Sequence, residues 1–177
     1  WLRLHNKKVC TNIYWEASAV QPLKLRSDRD YSELLRSLIT QAIKTRLRTQ
    51  SSIGVSLSGG LDSSGIACIA ARQLATKNRT LYAASSVLSN NHDGEEEDER
   101  PFIELVLKQE SNINIDYVTG RHERPFEKIS AIFKTTYSPV NPFFYMDQAL
   151  VRTLSRNHGV KLILSGYGGD GTVSYYG

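Results

Sequence analysis

The stretch from Ile53 to Ser64, IGVSLSGGLDSS, holds the residues whose types and order are best suited to chemistry. A short apolar run stops at a serine and two consecutive glycines, and a helix-forming segment follows from Gly65 to Leu74. This pattern predicts a buried strand that turns tightly into a helix. Glycines bring backbone N–H groups close to a ligand, the helix directs its positive end to the same point, and nearby serines add hydroxyl donors. The stretch is interpreted as a phosphate cradle, and the alternative is an ordinary turn with Asp62 or Ser63 as the N-cap of the helix.

Two acidic residues indicate how such a cradle would hold phosphates. The loop is neither a Walker A sequence, which places a lysine in the turn, nor a GxGxxG dinucleotide fingerprint. It carries Asp62 instead, and a carboxylate beside phosphates is repelled unless a divalent cation lies between them. A second glycine-rich loop, Ser165–Gly171, contains Asp170. We expect these two carboxylates to hold one Mg²⁺, and the alternative for Asp170 is a turn residue that accepts local hydrogen bonds.

The elements around these loops predict the fold. Helical and strand patterns alternate along the chain. The predicted helices cover 28–49, 65–74, 98–109, 126–133 and 143–157, the strands cover 53–58, 80–88, 113–118 and 159–164, and a loop at 90–97 and a break at 138–142 interrupt them. Alternating strands and helices predict an α/β fold with a parallel, doubly wound sheet flanked by helices. Ligands bind at the carboxyl ends of such strands, so the two glycine-rich loops can face each other there.

Composition limits the class of protein. The 177 residues carry a net charge of +4 and suffice for about one domain. Residues 1–50 hold ten Lys/Arg and four Asp/Glu, a balance of +6 that leaves −2 for the rest. We favour a solvated helix face over nucleic-acid binding for this region, because the charges alternate with apolar residues and no aromatic platform accompanies them. The acidic run at 95–99 is similarly interpreted as a solvated loop, with a metal site as the alternative.

The two cysteines and the length of the apolar runs indicate the cellular compartment. Cys10 and Cys68 lack the spacing of a zinc site or a disulfide framework, and Cys68 is expected in the core. No apolar run is long enough to span a bilayer, and no signal peptide is recognised, so we expect a cytoplasmic protein without membrane contact. Residues 1–27 are expected to be a linker or the tail of a preceding domain. A synthetase domain is expected over 28–177, truncated at its C-terminus.

Both loops resemble known nucleotide-binding loops. Ser58–Ser64, SGGLDSS, resembles the pyrophosphate loop of the ATP pyrophosphatase superfamily. Leu164–Asp170, LSGYGGD, resembles the second nucleotide loop of the asparagine synthase family, whose usual form is LSGxGxDE followed by FGGY. The resemblance covers residues 28–177 and implies an adenine nucleotide alpha hydrolase-like, HUP-type fold.

The resemblance also implies a reaction and a set of site residues. ATP would be cleaved between its α and β phosphates to give an acyl-adenylate and pyrophosphate, and nitrogen would then attack the activated carbonyl. The implied catalytic residues are Asp62, Asp170 and Tyr167, of which the two aspartates would bind Mg²⁺. The implied ATP-binding residues are Leu57, Ser58, Gly59, Gly60, Leu61, Asp62, Ser63, Ser64, Ser86, Ser165 and Gly166. The implied partners are a small carboxylate, namely aspartate or an analogue, and ammonia from a glutaminase domain; a homodimer is left open.

Three departures from the family pattern leave alternatives open. Tyr167 stands where asparagine synthetases usually carry an acid, Gly171 replaces the acid after Asp170, and residues 173–177 replace FGGY. A tyrosine at this position resembles β-lactam synthetases and lasso-peptide cyclases, which act on other carboxylates. The missing acid and the missing downstream lysine leave a degenerate, nucleotide-binding remnant as a third interpretation.

Overall fold

The computed structural model describes residues 1–89, 97–120, 129–130, 133–134 and 144–172. Their elements are β1 Leu2–His5, β2 Lys8–Thr11, a 3-10 turn Ala17–Ala19, α1 Asp28–Arg46, β3 Ile53–Ser56, α2 Leu61–Ala75, β4 Leu81–Val87, α3 Arg100–Gln109, β5 Ile113–Thr119, α4 Phe144–His158 and β6 Leu162–Leu164. The predicted break at 138–142 and the segment 173–177 lie outside the described residues. So do most of the predicted loop 90–97 and part of the predicted helix 126–133, of which residues 129, 130 and 133 are helical.

The chain divides into two compact units, Trp1–Ser37 and Leu38–Gly177. In the first unit β1 and β2 pair antiparallel, from Leu2 opposite Thr11 to His5 opposite Lys8. The two-residue connection has positive φ at both positions, 47° and 63°, as a type I′ hairpin turn requires. All eight strand residues are exposed. The division falls within α1, and the expected tail over 1–27 stays a prediction.

Helix α1 begins with a serine cap. The Ser27 hydroxyl oxygen accepts a hydrogen bond from the backbone N–H of Asp30 at 3.3 Å, so Ser27 caps the helix. At the other end of α1, Ile39, Ile43 and the following Leu47 contribute to the core of the second unit. None of the described helices combines the length and the apolar composition that crossing a membrane requires.

The second unit is built on a parallel sheet in the order β5-β4-β3-β6. Successive residues of β4 point to opposite faces, as in any strand. Leu81, Ala83 and Val87 pack in one core cluster together with α2 and α3 residues, whereas Ala84 packs in a second cluster together with α4 residues. Helices therefore cover both faces, which confirms the predicted parallel, doubly wound α/β fold.

The strand order places a topological switch between β3 and β6. From β3 the chain proceeds to β4 and β5 on one side, and then returns to add β6 on the other side of β3. Ligands of open α/β sheets bind in the crevice where the order reverses, outside the carboxyl ends of the strands. The two glycine-rich loops follow β3 and β6, so the fold brings both to this crevice.

Candidate nucleotide site

The first loop connects β3 to α2, and its first residue continues the pairing of the strand. Leu57 is fully buried, and its N–H donates to the carbonyl of Ala84 at 3.0 Å, which prolongs the pairing beyond Ser56. Gly59 then adopts a positive φ of 84°, and Gly60 occupies the N-cap of α2 with φ −67° and ψ 161°. A glycine N-cap offers no side chain to the first turn of α2, and residues of this turn line the crevice, so their backbone N–H groups are candidate anion donors.

Gly59 is constrained by a neighbour as well as by its backbone. A Cβ at this position would lie 3.1 Å from the Cβ of Phe102 and 3.3 Å from the carbonyl oxygen of Glu99, both at the start of α3. The positive φ and this close approach each favour glycine. The first turn of α3 thus packs directly beneath the loop.

Ser63 organises the loop from inside. The residue is only 6% exposed. Its hydroxyl oxygen accepts the backbone N–H of Ser58 at 3.2 Å, lies 3.0 Å from the Ser58 hydroxyl, and the hydroxyl donates to the carbonyl of Gly60 at 3.2 Å. These bonds fix the curvature of the loop, and they place the exposed Ser58 hydroxyl at the crevice.

The second loop folds on itself and rests against the first. Its turn has a positive φ of 83° at Gly168 and a hydrogen bond from the N–H of Gly169 to the carbonyl of Gly166 at 2.9 Å. A Cβ on Gly166 would lie 2.9 Å from the backbone nitrogen of Ser63, and a Cβ on Gly169 would overlap the carboxylate of Asp62. Both glycines therefore allow the second loop to contact the start of α2.

Together the loops enclose a cavity of about 640 Å³, within the range of roughly 300–1,000 Å³ typical of small-molecule sites. Its lining residues are Ser56, Ser58, Gly60, Leu61, Asp62, Ser63, Asp147, Ser165, Gly166, Tyr167, Gly168, Asp170 and Gly171. Every charged residue among these described lining residues is an aspartate. Phosphate oxygens would therefore have to bind to backbone N–H groups, to hydroxyls and to an added cation, which is the donor set that Mg·ATP needs.

The structure brings most of the predicted site residues to this cavity, while their roles stay predictions. Leu57 is buried beneath the loop, and Gly59 packs against α3. Ser64 has a buried hydroxyl without a hydrogen-bond partner among the described residues. Ser86 lines a separate cavity of about 370 Å³ at the carboxyl ends of β4 and β5, beside Val87, Leu88, Glu97, Glu99, Gly120 and Met146.

Asp147 is the functional candidate that sequence reasoning missed. It lies in the first turn of α4 and lines the main cavity with both loops. The predicted helix 143–157 was sufficient to indicate this residue, because a helix that leads to a parallel strand starts at the carboxyl edge of the sheet. Acidic residues in its first turn therefore lie on the ligand side.

The acidic residues do not form a ready-made metal cage. No group of three His, Cys, Asp or Glu side chains within the described part of the chain is placed to share a metal ion. Asp62 and Asp170 nevertheless line one cavity. Mg²⁺ commonly binds one or two carboxylates together with substrate phosphates, so this pair fits an ion that arrives with a nucleotide.

A model of the asparagine synthase family matches residues 34–176. The chain belongs to the asparagine synthase family. A relative in Methanocaldococcus jannaschii, which carries the provisional name asparagine synthetase (glutamine-hydrolyzing) 2, is 26% identical over 98% of this chain. The chain spans 32% of that relative's length. The family is one of ATP-utilising synthetases, and membership confirms the resemblance drawn from the two loops.

Two solved structures are similar at low identity. A NAD+ synthetase from Burkholderia pseudomallei is 14% identical, with a TM-score of 0.41, over 76% of this chain and 51% of its own. A universal stress protein in complex with cAMP is 12% identical, with a TM-score of 0.32, over 65% of this chain and 95% of its own.

Proposed function

We propose that this chain uses Mg·ATP to activate a carboxylate as an acyl-adenylate, with release of pyrophosphate, and that nitrogen then attacks the acyl group to form an amide. One observation supports this most. The SGGLDSS loop and the glycine-rich loop after β6 meet in one cavity at the switch point of the sheet, with an aspartate on each loop.

In the first step, a carboxylate oxygen attacks the α-phosphorus, the bond from that phosphorus to the oxygen bridging to the β-phosphate breaks, and pyrophosphate leaves. Negative charge grows on the departing phosphates. The N–H groups at the start of α2 and the Ser58 hydroxyl bind those oxygens, and they need little reorganisation because the buried Ser63 hydroxyl already holds the loop. This is electrostatic stabilisation by a preorganised site.

Asp62 and Asp170 would hold Mg²⁺, which supplies positive charge to the phosphates when bound. In the second step, a nitrogen lone pair attacks the acyl carbon, the C–N bond forms and the C–O bond to AMP breaks. AMP leaves, and the nitrogen gives up a proton to water. Tyr167 is 84% exposed at the mouth of the cavity, where we propose that it contacts the acyl group.

Two acceptors are consistent with this chemistry. The first is aspartate, with ammonia supplied by a glutaminase domain, as in a glutamine-hydrolysing asparagine synthetase. The second is a different carboxylate, and it is favoured by Tyr167 and Gly171, which stand where the family pattern has acids.

The experiment measures pyrophosphate release by the purified protein with ATP, Mg²⁺, ammonium or glutamine, and a panel of carboxylates that includes aspartate. We expect release that is lost in Asp62→Asn and kept in Glu104→Gln, a matched charge removal on an exposed residue of α3. Release with aspartate selects the first acceptor, and release with another carboxylate alone selects the second. Release with none of them contradicts the proposal and favours a nucleotide-binding remnant.

A further inference from the structure

A second, more apolar cavity opens beside the nucleotide site. It measures about 300 Å³ and shares Ser56, Asp147, Ser165 and Tyr167 with the main cavity. Its remaining lining residues are aliphatic and come from α4 and β6: Leu150, Val151, Leu154 and Ile163. Val151 is 42% exposed, whereas Leu150 and Leu154 also pack in the core. A ligand in the main cavity can therefore extend an apolar group into this side pocket.

Charge at the junction of the two cavities is negative. Asp147 lines both of them, and no Lys, Arg or His occurs among the described residues that line either one. A cationic group of a ligand is attracted to this position, whereas a second carboxylate is repelled and would have to enter an aliphatic pocket without a partner.

The three features match three parts of one kind of molecule. We propose that the acceptor is an α-amino acid with an apolar side chain. Its ammonium group binds Asp147, its side chain fills the pocket of Leu150, Val151, Leu154 and Ile163, and its carboxylate faces the α-phosphate in the main cavity. This rests on the proposed function only in assigning the carboxylate as the group that is activated.

Aspartate fits this arrangement less well than leucine. Aspartate can present only one of its two carboxylates to the α-phosphate, and the other would be placed against the aliphatic walls or beside the like charge of Asp147. Leucine loses no polar interaction there and buries its isobutyl group. Burial of such a side chain is worth roughly tenfold or more in affinity.

The experiment is a calorimetric titration of the protein, saturated with Mg²⁺ and a non-hydrolysable ATP analogue. The probes are L-leucine, L-aspartate, glycine and 4-methylpentanoate, which is leucine without its amino group. We expect leucine to bind at least about tenfold more tightly than each of the other three probes. 4-Methylpentanoate lacks the hydrogen bond to a charged partner, and glycine lacks the side chain that fills the pocket. Aspartate places a second carboxylate beside Asp147.

Two variants assign the effect to the proposed groups. Asp147→Asn should bring leucine and 4-methylpentanoate to equal affinity, while Glu104→Gln should keep the difference. Val151→Trp fills the pocket from a position that is already 42% exposed, and it should weaken leucine binding while leaving glycine binding unchanged. A wild-type preference for aspartate, or an amino-group effect that survives Asp147→Asn, overturns the inference.

The two proposals can fail separately. If leucine binds as expected but no carboxylate elicits pyrophosphate release, the proposed function fails and the pocket assignment stands. If pyrophosphate is released with aspartate and leucine does not bind more tightly than aspartate, the acceptor assignment fails and the proposed function stands.

Discussion

Replacement of Gly166 by alanine should push the two glycine-rich loops apart. The added methyl group would lie 2.9 Å from the backbone nitrogen of Ser63 and 3.2 Å from the carbonyl carbon and the Cβ of Asp62. Two of these three atoms belong to the backbone of the first turn of α2, so rotation of a flexible side chain cannot relieve the contact. The loop or the helix must move instead.

Overpacking of this kind costs about 1–3 kcal/mol, which corresponds to a factor of about 5 to 150 in an equilibrium constant. Gly166 does not have a positive φ, so alanine adds little backbone strain of its own. The cost should therefore appear as weaker Mg·ATP binding, as a lower free energy of unfolding, or as both. Titration of a fluorescent ATP analogue and urea unfolding measure the two quantities.

Gly171→Ala is the matched control in the same loop. A Cβ there has its nearest neighbour, the carbonyl oxygen of Gly168, at 3.8 Å, which is an ordinary contact. We expect this variant to bind Mg·ATP and to unfold like the wild-type protein. If Gly166→Ala also left both quantities unchanged, or if the two variants were equally impaired, the packing of the second loop on Asp62 and Ser63 would be refuted.

Three further predictions concern the loop, a buried acid and the cysteines. Ser63→Ala removes the bonds to Ser58 and Gly60 and should lower the free energy of unfolding by about 1–3 kcal/mol. Ser64→Ala deletes a hydroxyl without a partner among the described residues, so it should leave the free energy of unfolding unchanged or raise it. Equal effects of the two variants in urea unfolding would contradict the loop geometry. Arg72→Ala removes the guanidinium that the carboxylate of Glu110 contacts at 2.7 Å, and Glu110 is only 7% exposed. This variant should therefore lower the melting temperature more than Glu110→Gln does, and thermal unfolding of the two variants measures the difference. Burial, and next the charge of Glu110, raises the pKa of the Cys68 thiol, so maleimide should label the exposed Cys10 first, and labelling of Cys68 should rise only above the ordinary cysteine pKa. Because the folded state holds the thiol proton of Cys68 more tightly than the unfolded state does, the protonated thiol contributes to stability at lower pH. This contribution is lost as pH rises above the ordinary cysteine pKa.

Local sequence patterns were sufficient to predict the sheet and the first loop. Alternating apolar strands and amphipathic helices have periods that can be read without tertiary information, and two consecutive glycines after a buried strand limit what the backbone can do. The predicted helix after the loop starts at Gly65, whereas α2 begins at Leu61, because residues 61–64 of the predicted phosphate loop also form its first turn. The predicted strand 159–164 begins only at Leu162, because Gly159, with φ 63°, ends the preceding helix.

Contacts between distant residues could not be predicted in the same way. Gly166 and Gly169 lie more than one hundred positions from Asp62 in the chain, and their need for glycine follows only from the approach of the two loops. The placement of Asp147 likewise depends on how α4 begins at the carboxyl edge of the sheet. In the first unit, the turn at Asn6 and Lys7 has no glycine, so the hairpin lacked its usual sequence signal.

The position at which ATP is cleaved distinguishes formation of an acyl-adenylate from other ATP-dependent chemistry. The protein is incubated with Mg·ATP and each carboxylate of the panel, and the nucleotides and phosphates are separated by anion-exchange chromatography. We expect AMP and pyrophosphate in equal amounts, formed only when a carboxylate is present and lost in Asp62→Asn. ADP and inorganic phosphate in their place would contradict it.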